Sequence, residues 1–195
     1  MITFHLKSGY HHIEIHSDHL KLWGFAWKFP RKASIRYFVF TVLPFGVSSA
    51  PYIFTKFIEP LEKYWRFNGV NIALFLDDGW LIDSNRDTCA VLATNIWSDL
   101  RKSGFITNDE KSQWRPSQVL EWLGIIWNTI SGTITISERR ESSIAKSVDK
   151  ILLSDRLVSA RELASIVGRI ISRGAVFGNI SRLMTRYCSI SVASA

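Results

Sequence analysis

The chain has 195 residues, 47% of them hydrophobic, with a mean hydropathy of +0.07, so it can bury a core of domain size and is not a disordered tail. No apolar run approaches the roughly 18 residues of a membrane span, and the N-terminus lacks the basic-then-apolar layout of a signal peptide; an intracellular setting, cytoplasmic or nuclear, and no membrane partner are expected. The net charge of +7 is gathered late in the chain, where residues 139–195 carry ten Lys and Arg against four acids, and this suits either a polyanion partner or a solvated basic face.

In chain order, Ile2-Thr3-Phe4-His5-Leu6 reads as a short strand that begins almost at the first residue. A Ser8-Gly9 turn follows, with Tyr10 directly behind it. All five histidines lie in the first 19 residues, but no cysteine or carboxylate completes a zinc-type spacing, and they read as polar positions on short elements. Two aromatic-rich segments, Leu22 to Trp27 and Ile35 to Val42, flank Pro30-Arg31-Lys32-Ala33-Ser34 as a hairpin. Pro44, Gly46 and Pro51 stop that strand. Pro51 then opens a helix expected over Tyr52 to Trp65, with Ile53, Phe57, Leu61 and Tyr64 along its core side.

The run from Val70 to Asp83 is apolar apart from Asn71, Asp77-Asp78-Gly79 and the closing Asp83, and reads as strand, tight turn, strand, with Asp-Gly supplying a residue tolerant of positive φ. Two adjacent carboxylates repel each other unless a cation or a basic partner lies against them, and hard oxygen ligands suit magnesium or manganese. The plain alternative is good turn chemistry with a solvated neighbour. A second helix is expected over Arg86 to Lys102, with Cys89, Leu92, Ala93, Ile96 and Leu100 buried and Gly104 at its end. Cys89 and Cys188 are read as reduced, buried thiols. Near the C-terminus, Ser159-Ala160-Arg161-Glu162 is a capping box, and Leu163, Ile166, Val167, Ile170 and Ile171 form the stripe of the helix it starts. The alternation of strands and helices indicates an α+β fold, with Phe4, Leu76 and Leu81 on neighbouring strands of one antiparallel sheet backed by the two helices.

The strings LKSGY, FTVLPFG, FLDD, SGFITNDEKS and LEWLG, in this order, resemble successive motifs of a retroelement reverse transcriptase, an RNA-directed DNA polymerase, most like those of LTR-type and DIRS-like elements. The resemblance covers roughly residues 2 to 186. It implies a polymerase palm over 1–118 with a residual fingers-side hairpin at 20–42, primer-grip-like hairpins over 119–137, and a helical thumb-like region over 138–195. It also implies that Asp77 and Asp78 hold Mg2+ in a two-ion site, that Tyr10 lies under the incoming sugar, and that Phe45 and Gly46 line the nucleotide pocket with the glycine allowing close backbone approach. Lys111 corresponds to a lysine at the edge of the nucleotide site. Trp122, Leu123 and Gly124 correspond to the hairpin that positions the primer, continued by a strand pair from Trp127 to Ile136 around Ser131-Gly132. Gly168, Arg169 and Arg173 correspond to the thumb surface along the template and primer; an ordinary amphipathic helix with a tolerated glycine is the alternative. The implied partners are an RNA/DNA template-primer and a deoxynucleotide triphosphate.

Two departures set the functional expectation. Where the family has a first catalytic aspartate, this sequence has His5, and imidazole prefers softer metals and cannot bridge two magnesium ions. The fingers segment expected upstream of LKSGY is also missing from this sequence. Three readings follow: a reverse transcriptase by descent with impaired catalysis and at most one weak metal site, a polymerase subunit completed by another chain, and a non-catalytic nucleic-acid-binding module.

Overall fold

A computed structural model describes residues 1–31, 34–153 and 158–194. Lys32 and Ala33 of the first hairpin loop, and Asp155 and Arg156 of the basic C-terminal region, lie outside the described residues. Two compact units are formed, Met1–Ser117 and Gln118–Ala195.

The first unit is built on a three-stranded antiparallel sheet in the order β1 (Ile2–His5), β5 (Asp78–Leu81), β4 (Ile72–Phe75). β5 is central, and its register pairs Phe4 with Gly79 and His5 with Asp78. The far side of β1 is tied to the segment after α2 (Arg86–Lys102) by Thr3 N–H donating to Gln113 O and Asn108 N–H donating to His5 O. β2 (Gly24–Lys28) and β3 (Ile35–Val39) form the expected hairpin, a separate two-stranded ribbon whose Trp27 and Tyr37 are exposed. One core joins the sheet to α1 (Ala50–Phe67) and α2: Ile2, Phe4, Leu6, Phe54, Ile58, Leu81, Ile96 and Leu100 are almost wholly buried.

Three expectations are corrected here. The hairpin turn is not at Asp-Gly: Phe75 pairs with Asp78, so the two loop residues are Leu76 and Asp77, and the positive φ of 55° falls on Leu76, which is therefore not on a strand. Gly79 sits inside β5, and its role is steric. A Cβ there would lie 2.1 Å from the Phe4 ring, so the ring occupies the space that a side chain would need. The second correction concerns α1, which buries Ala50, Phe54, Ile58 and Trp65, with Leu61 packed at the edge, while Ile53, Phe57 and Tyr64 are exposed. Both faces of this helix carry aromatic and aliphatic residues, so the pattern alone fits either orientation. Trp65 decides it, because its indole N–H donates to Asp99 of α2 at 2.9 Å and its ring meets Phe4 edge-on at 6.5 Å. The α2 stripe is as expected, with Cys89, Ala93, Ile96 and Leu100 buried. Third, only Cys89 is a buried thiol; Cys188 is half-buried, and both are free.

The second unit opens with a meander, β6 (Val119–Trp122), β7 (Ile125–Asn128) and β8 (Thr133–Ile136). The β6–β7 loop is Leu123-Gly124, with φ of 51° and 73° at the two positions, the conformation of a type I′ hairpin turn. Helices α3 (Glu138–Leu152), α4 (Ala160–Ile171), α5 (Gly174–Phe177), α6 (Ile180–Met184) and α7 (Arg186–Ala193) follow. α4 starts with the expected reciprocal capping box, Ser159 Oγ accepting from Glu162 N–H and Ser159 N–H donating to the Glu162 carboxylate. Val167 is buried and Leu163, Ile166, Ile170 and Ile171 are half-buried.

Candidate metal and nucleic-acid site

The β1–β5 register is what assembles the centre of the first unit. Because His5 faces Asp78 across the ladder, its imidazole reaches between the two carboxylates: Nδ1 lies 2.6 Å from Asp78 Oδ1 and Nε2 lies 3.3 Å from Asp77 Oδ2. The three side chains are 22%, 38% and 32% exposed respectively, so the cluster is partly desolvated yet open to solvent. Each ring nitrogen thus faces a different carboxylate, so the imidazole bridges the aspartate pair.

The backbone beneath is held on every side. His5 N–H donates to Ser112 Oγ at 3.0 Å, His5 O accepts from Asn108 N–H at 2.7 Å, and Leu6 N–H donates to Asp77 O at 2.8 Å. Ser112 Oγ–H in turn donates to Asn108 O at 2.7 Å. Asn108 and Ser112 carry no charge and no motif role, which is why sequence reasoning passed over them although both lie in the SGFITNDEKS string. Gly9 is also part of the frame, since a Cβ there would come within 3.0 Å of the Phe54 ring and 3.2 Å of Asp77 Cβ.

Of the other residues singled out, Tyr10 and Phe45 come together. Their rings are 4.9 Å apart, and Tyr10 also meets Phe54 at 5.4 Å. Burial, with the negative charge of Asp77 second, pushes the Tyr10 phenol above its ordinary pKa, so it remains a neutral hydroxyl beside the carboxylate pair. Phe45 is 59% exposed. Gly46 answers to a different need from the one expected: its φ is +89° and a Cβ would meet nothing, so the backbone conformation and not a close approach within this chain calls for glycine. Lys111 lies on the segment that hydrogen-bonds to His5, and its side chain points into solvent.

In the second unit, Arg140 of α3 lies over the Trp122–Ile125 turn. Its Nη1 donates to Leu123 O at 3.0 Å, and its guanidinium fills the space where a Gly124 Cβ would be. Gly168 and Arg169 are exposed on α4, with nothing near the position of a Gly168 Cβ. Arg169 donates to Ser147 Oγ at 3.2 Å, and Arg173 Nη1 donates to Arg169 O at 2.7 Å and contacts Ser172 Oγ. Burial first, then the charges of Arg140 and Arg169, lower the Arg173 pKa below that of a free guanidinium. Arg140, whose only signal in the sequence was the charge excess, thus holds the turn and adds its charge to that around Arg173.

Among the described residues, His5, Asp77 and Asp78 form the one group of three or more His, Cys, Asp or Glu able to hold a metal ion, with one ligand atom from each within 4.8 Å of the others. No described helix is long and apolar enough to cross a membrane.

Solved structures of reverse transcriptases are similar to the chain. Three of them are a foamy viral protease-reverse transcriptase in complex with an RNA/DNA hybrid (18% identity, TM-score 0.70, 100% of this chain and 24% of that one), its dRH form in complex with double-stranded DNA (18%, 0.72, 100% and 31%), and the protease-reverse transcriptase in complex with double-stranded DNA (19%, 0.65, 99% and 41%). This chain therefore spans between about a quarter and two-fifths of those proteins, and at such identity the likeness establishes the fold. No curated protein matches it by sequence. Residues 1–127, well over half of the chain, match the family model for reverse transcriptase (RNA-dependent DNA polymerase), and the chain belongs to that family.

Proposed function

We propose that this chain is the palm-like and thumb-like part of a retroelement reverse transcriptase, one that retains template-primer binding and is impaired in nucleotidyl transfer as it stands. The observation that carries the proposal is His5 wedged between Asp77 and Asp78, with each ring nitrogen against a carboxylate. The family uses divalent metal ions. Two magnesium ions do not fit here: the two carboxylates suit a hard cation, but the third donor is an imidazole, which can offer one lone pair to one ion and has no second oxygen with which to bridge.

What the remaining residues do is bind and orient. Tyr10 and Phe45 form an aromatic floor beside the aspartates, suited to a nucleotide sugar and base, with Gly46 shaping the loop that carries Phe45. Lys111, exposed on the segment that hydrogen-bonds to β1, is proposed as a phosphate contact on the motif resemblance. In the second unit, Trp122, Leu123 and Gly124 form a tight turn held by Arg140, and Gly168, Arg169 and Arg173 present a basic face whose natural counterpart is a phosphate backbone. The hairpin β2–β3 is assigned as the fingers-side remnant. The RNA/DNA hybrid and double-stranded DNA held by the structural neighbours support a template-primer as partner; a deoxynucleotide triphosphate as substrate and an intracellular location belong to the proposal through the motif resemblance and the sequence composition alone.

Purified chain assayed for primer extension on an RNA template with magnesium is expected to give no product, while fluorescence anisotropy with an RNA/DNA hybrid shows salt-sensitive binding. Robust extension that Asp77→Asn abolishes overturns the impaired reading; absence of hybrid binding at low salt overturns the template-primer reading.

A further inference from the structure

We infer that the His5–Asp77–Asp78 cluster is a site for a single divalent ion of the borderline class, zinc or cobalt, in preference to magnesium. The inference rests on the reading of the aspartate pair as metal-binding and adds which metal and which atoms.

The cluster brings one imidazole and two carboxylates together, with one potential ligand atom of each within 4.8 Å of the others. Imidazole nitrogen is a common ligand of zinc and cobalt and a poor one for magnesium, which demands oxygen ligands in near-ideal octahedral arrangement. The two ring nitrogens are not equivalent. The Nδ1 contact to Asp78 Oδ1 is short, 2.6 Å, whereas Nε2 stands 3.3 Å from Asp77 Oδ2. A ring that ligates through one nitrogen keeps its proton on the other, and a carboxylate accepting that proton fixes the tautomer and orientation. Asp78 is placed to do this for Nδ1, leaving Nε2 and Asp77 as the ligating edge.

The spacing of that edge suits the ion without movement. With metal–nitrogen and metal–oxygen bonds of about 2.1 Å each, a nitrogen–oxygen separation of 3.3 Å subtends an angle of about 105° at the ion, near the tetrahedral value. The partial exposure of all three side chains leaves room for water or a substrate oxygen in the remaining positions. The frame is rigid, because His5 is held at its N–H by Ser112 and at its carbonyl by Asn108, and Asp77 at its carbonyl by Leu6.

The test is a titration of the full chain with Co2+, followed by visible d–d absorption, with Zn2+ as competitor and Mg2+ binding measured by calorimetry. Variants are His5→Asp, His5→Gln, Asp77→Asn and Asp78→Asn, each checked for native circular dichroism. Most nitrogen- and oxygen-donor sites favour zinc over magnesium to some degree, so the decisive quantity is how the preference changes. His5→Asp is expected to lower the Zn2+ to Mg2+ affinity ratio at least tenfold. Asp77→Asn and His5→Gln should abolish the Co2+ signal, and Asp78→Asn should weaken it about 10 to 100-fold, the usual loss for an orienting partner. An unchanged ratio in His5→Asp, or a Co2+ signal that persists in Asp77→Asn and so belongs to other histidines, overturns the inference. Absence of metal binding with hybrid binding retained sinks this inference alone; metal binding without hybrid binding sinks the template-primer reading alone.

Discussion

Replacing Gly79 by alanine adds one methyl group to the centre of β5, directly under the Phe4 ring. The new Cβ would lie 2.1 Å from Cζ and 2.3 Å from Cε1, more than 1 Å inside van der Waals contact. Relief by ring movement is blocked, because Phe4 is wholly buried, stacked on Trp114 at 5.4 Å with the planes parallel within 1°, and edge-on to Trp65 at 6.5 Å. The strands must therefore part, and the next pair along is His5 with Asp78. Overpacking of this kind costs typically 1–3 kcal/mol, and with both neighbours fixed we expect the upper end, about 3 kcal/mol, or a fall in melting temperature of roughly 10 °C. The assay is urea denaturation followed by near-UV circular dichroism of the tryptophans, with a double-mutant cycle to Phe4→Leu. The smaller side chain vacates the clash, so the double variant should be more stable than the sum of the single losses by about 1 kcal/mol or more. A Gly79→Ala change within 0.5 kcal/mol of the parent, or strict additivity with Phe4→Leu, refutes the steric account.

Leu123→Asn places in the β6–β7 turn the residue that tolerates positive φ, so stability should rise by up to about 1 kcal/mol; a loss in thermal melts would mean that the half-buried leucine side chain contributes more than its strained backbone costs. Arg169→Ala with Arg173→Ala should flatten the log-log salt dependence of hybrid binding by about 0.7 to 0.9 per lost phosphate contact, and an unchanged slope rules out α4 as a phosphate surface. Ser159→Ala removes the capping box of α4 and should cost about 1 kcal/mol, read as faster amide exchange in its first turn; unchanged exchange there refutes it. Lys56 and Lys63 hold the Glu59 carboxyl at a pKa of about 2, below its ordinary 4.5. The stability it contributes is thus complete above about pH 4.5 and lost as pH falls towards 2, and Glu59→Gln should lessen the acid sensitivity of the first unit over that window; an unaltered acid profile counts against the triad.

The sequence by itself determined the local elements and the family. The alternating apolar runs, the helix ends at Pro51 and Gly104 and the capping box at Ser159 are short-range signals, and each produced its element. The aspartate pair and the anomaly at position 5 were legible as well, because they depend on residue type within a motif. Three matters could not be read from the chain. The positive φ lies on Leu76 and not on Gly79, because the Phe4 ring claims the space over Gly79 and the ladder pairs Phe75 with Asp78. α1 buries Phe54 and Trp65 in place of Phe57 and Tyr64, because both faces are apolar and only Asp99 and Phe4, distant in sequence, select between them. His5 was readable as a missing aspartate but not as a bridge between two carboxylates. That role exists only through the β1–β5 register, set by contacts across 73 residues of chain, in which a slip of one residue would turn the imidazole to the opposite face of the sheet.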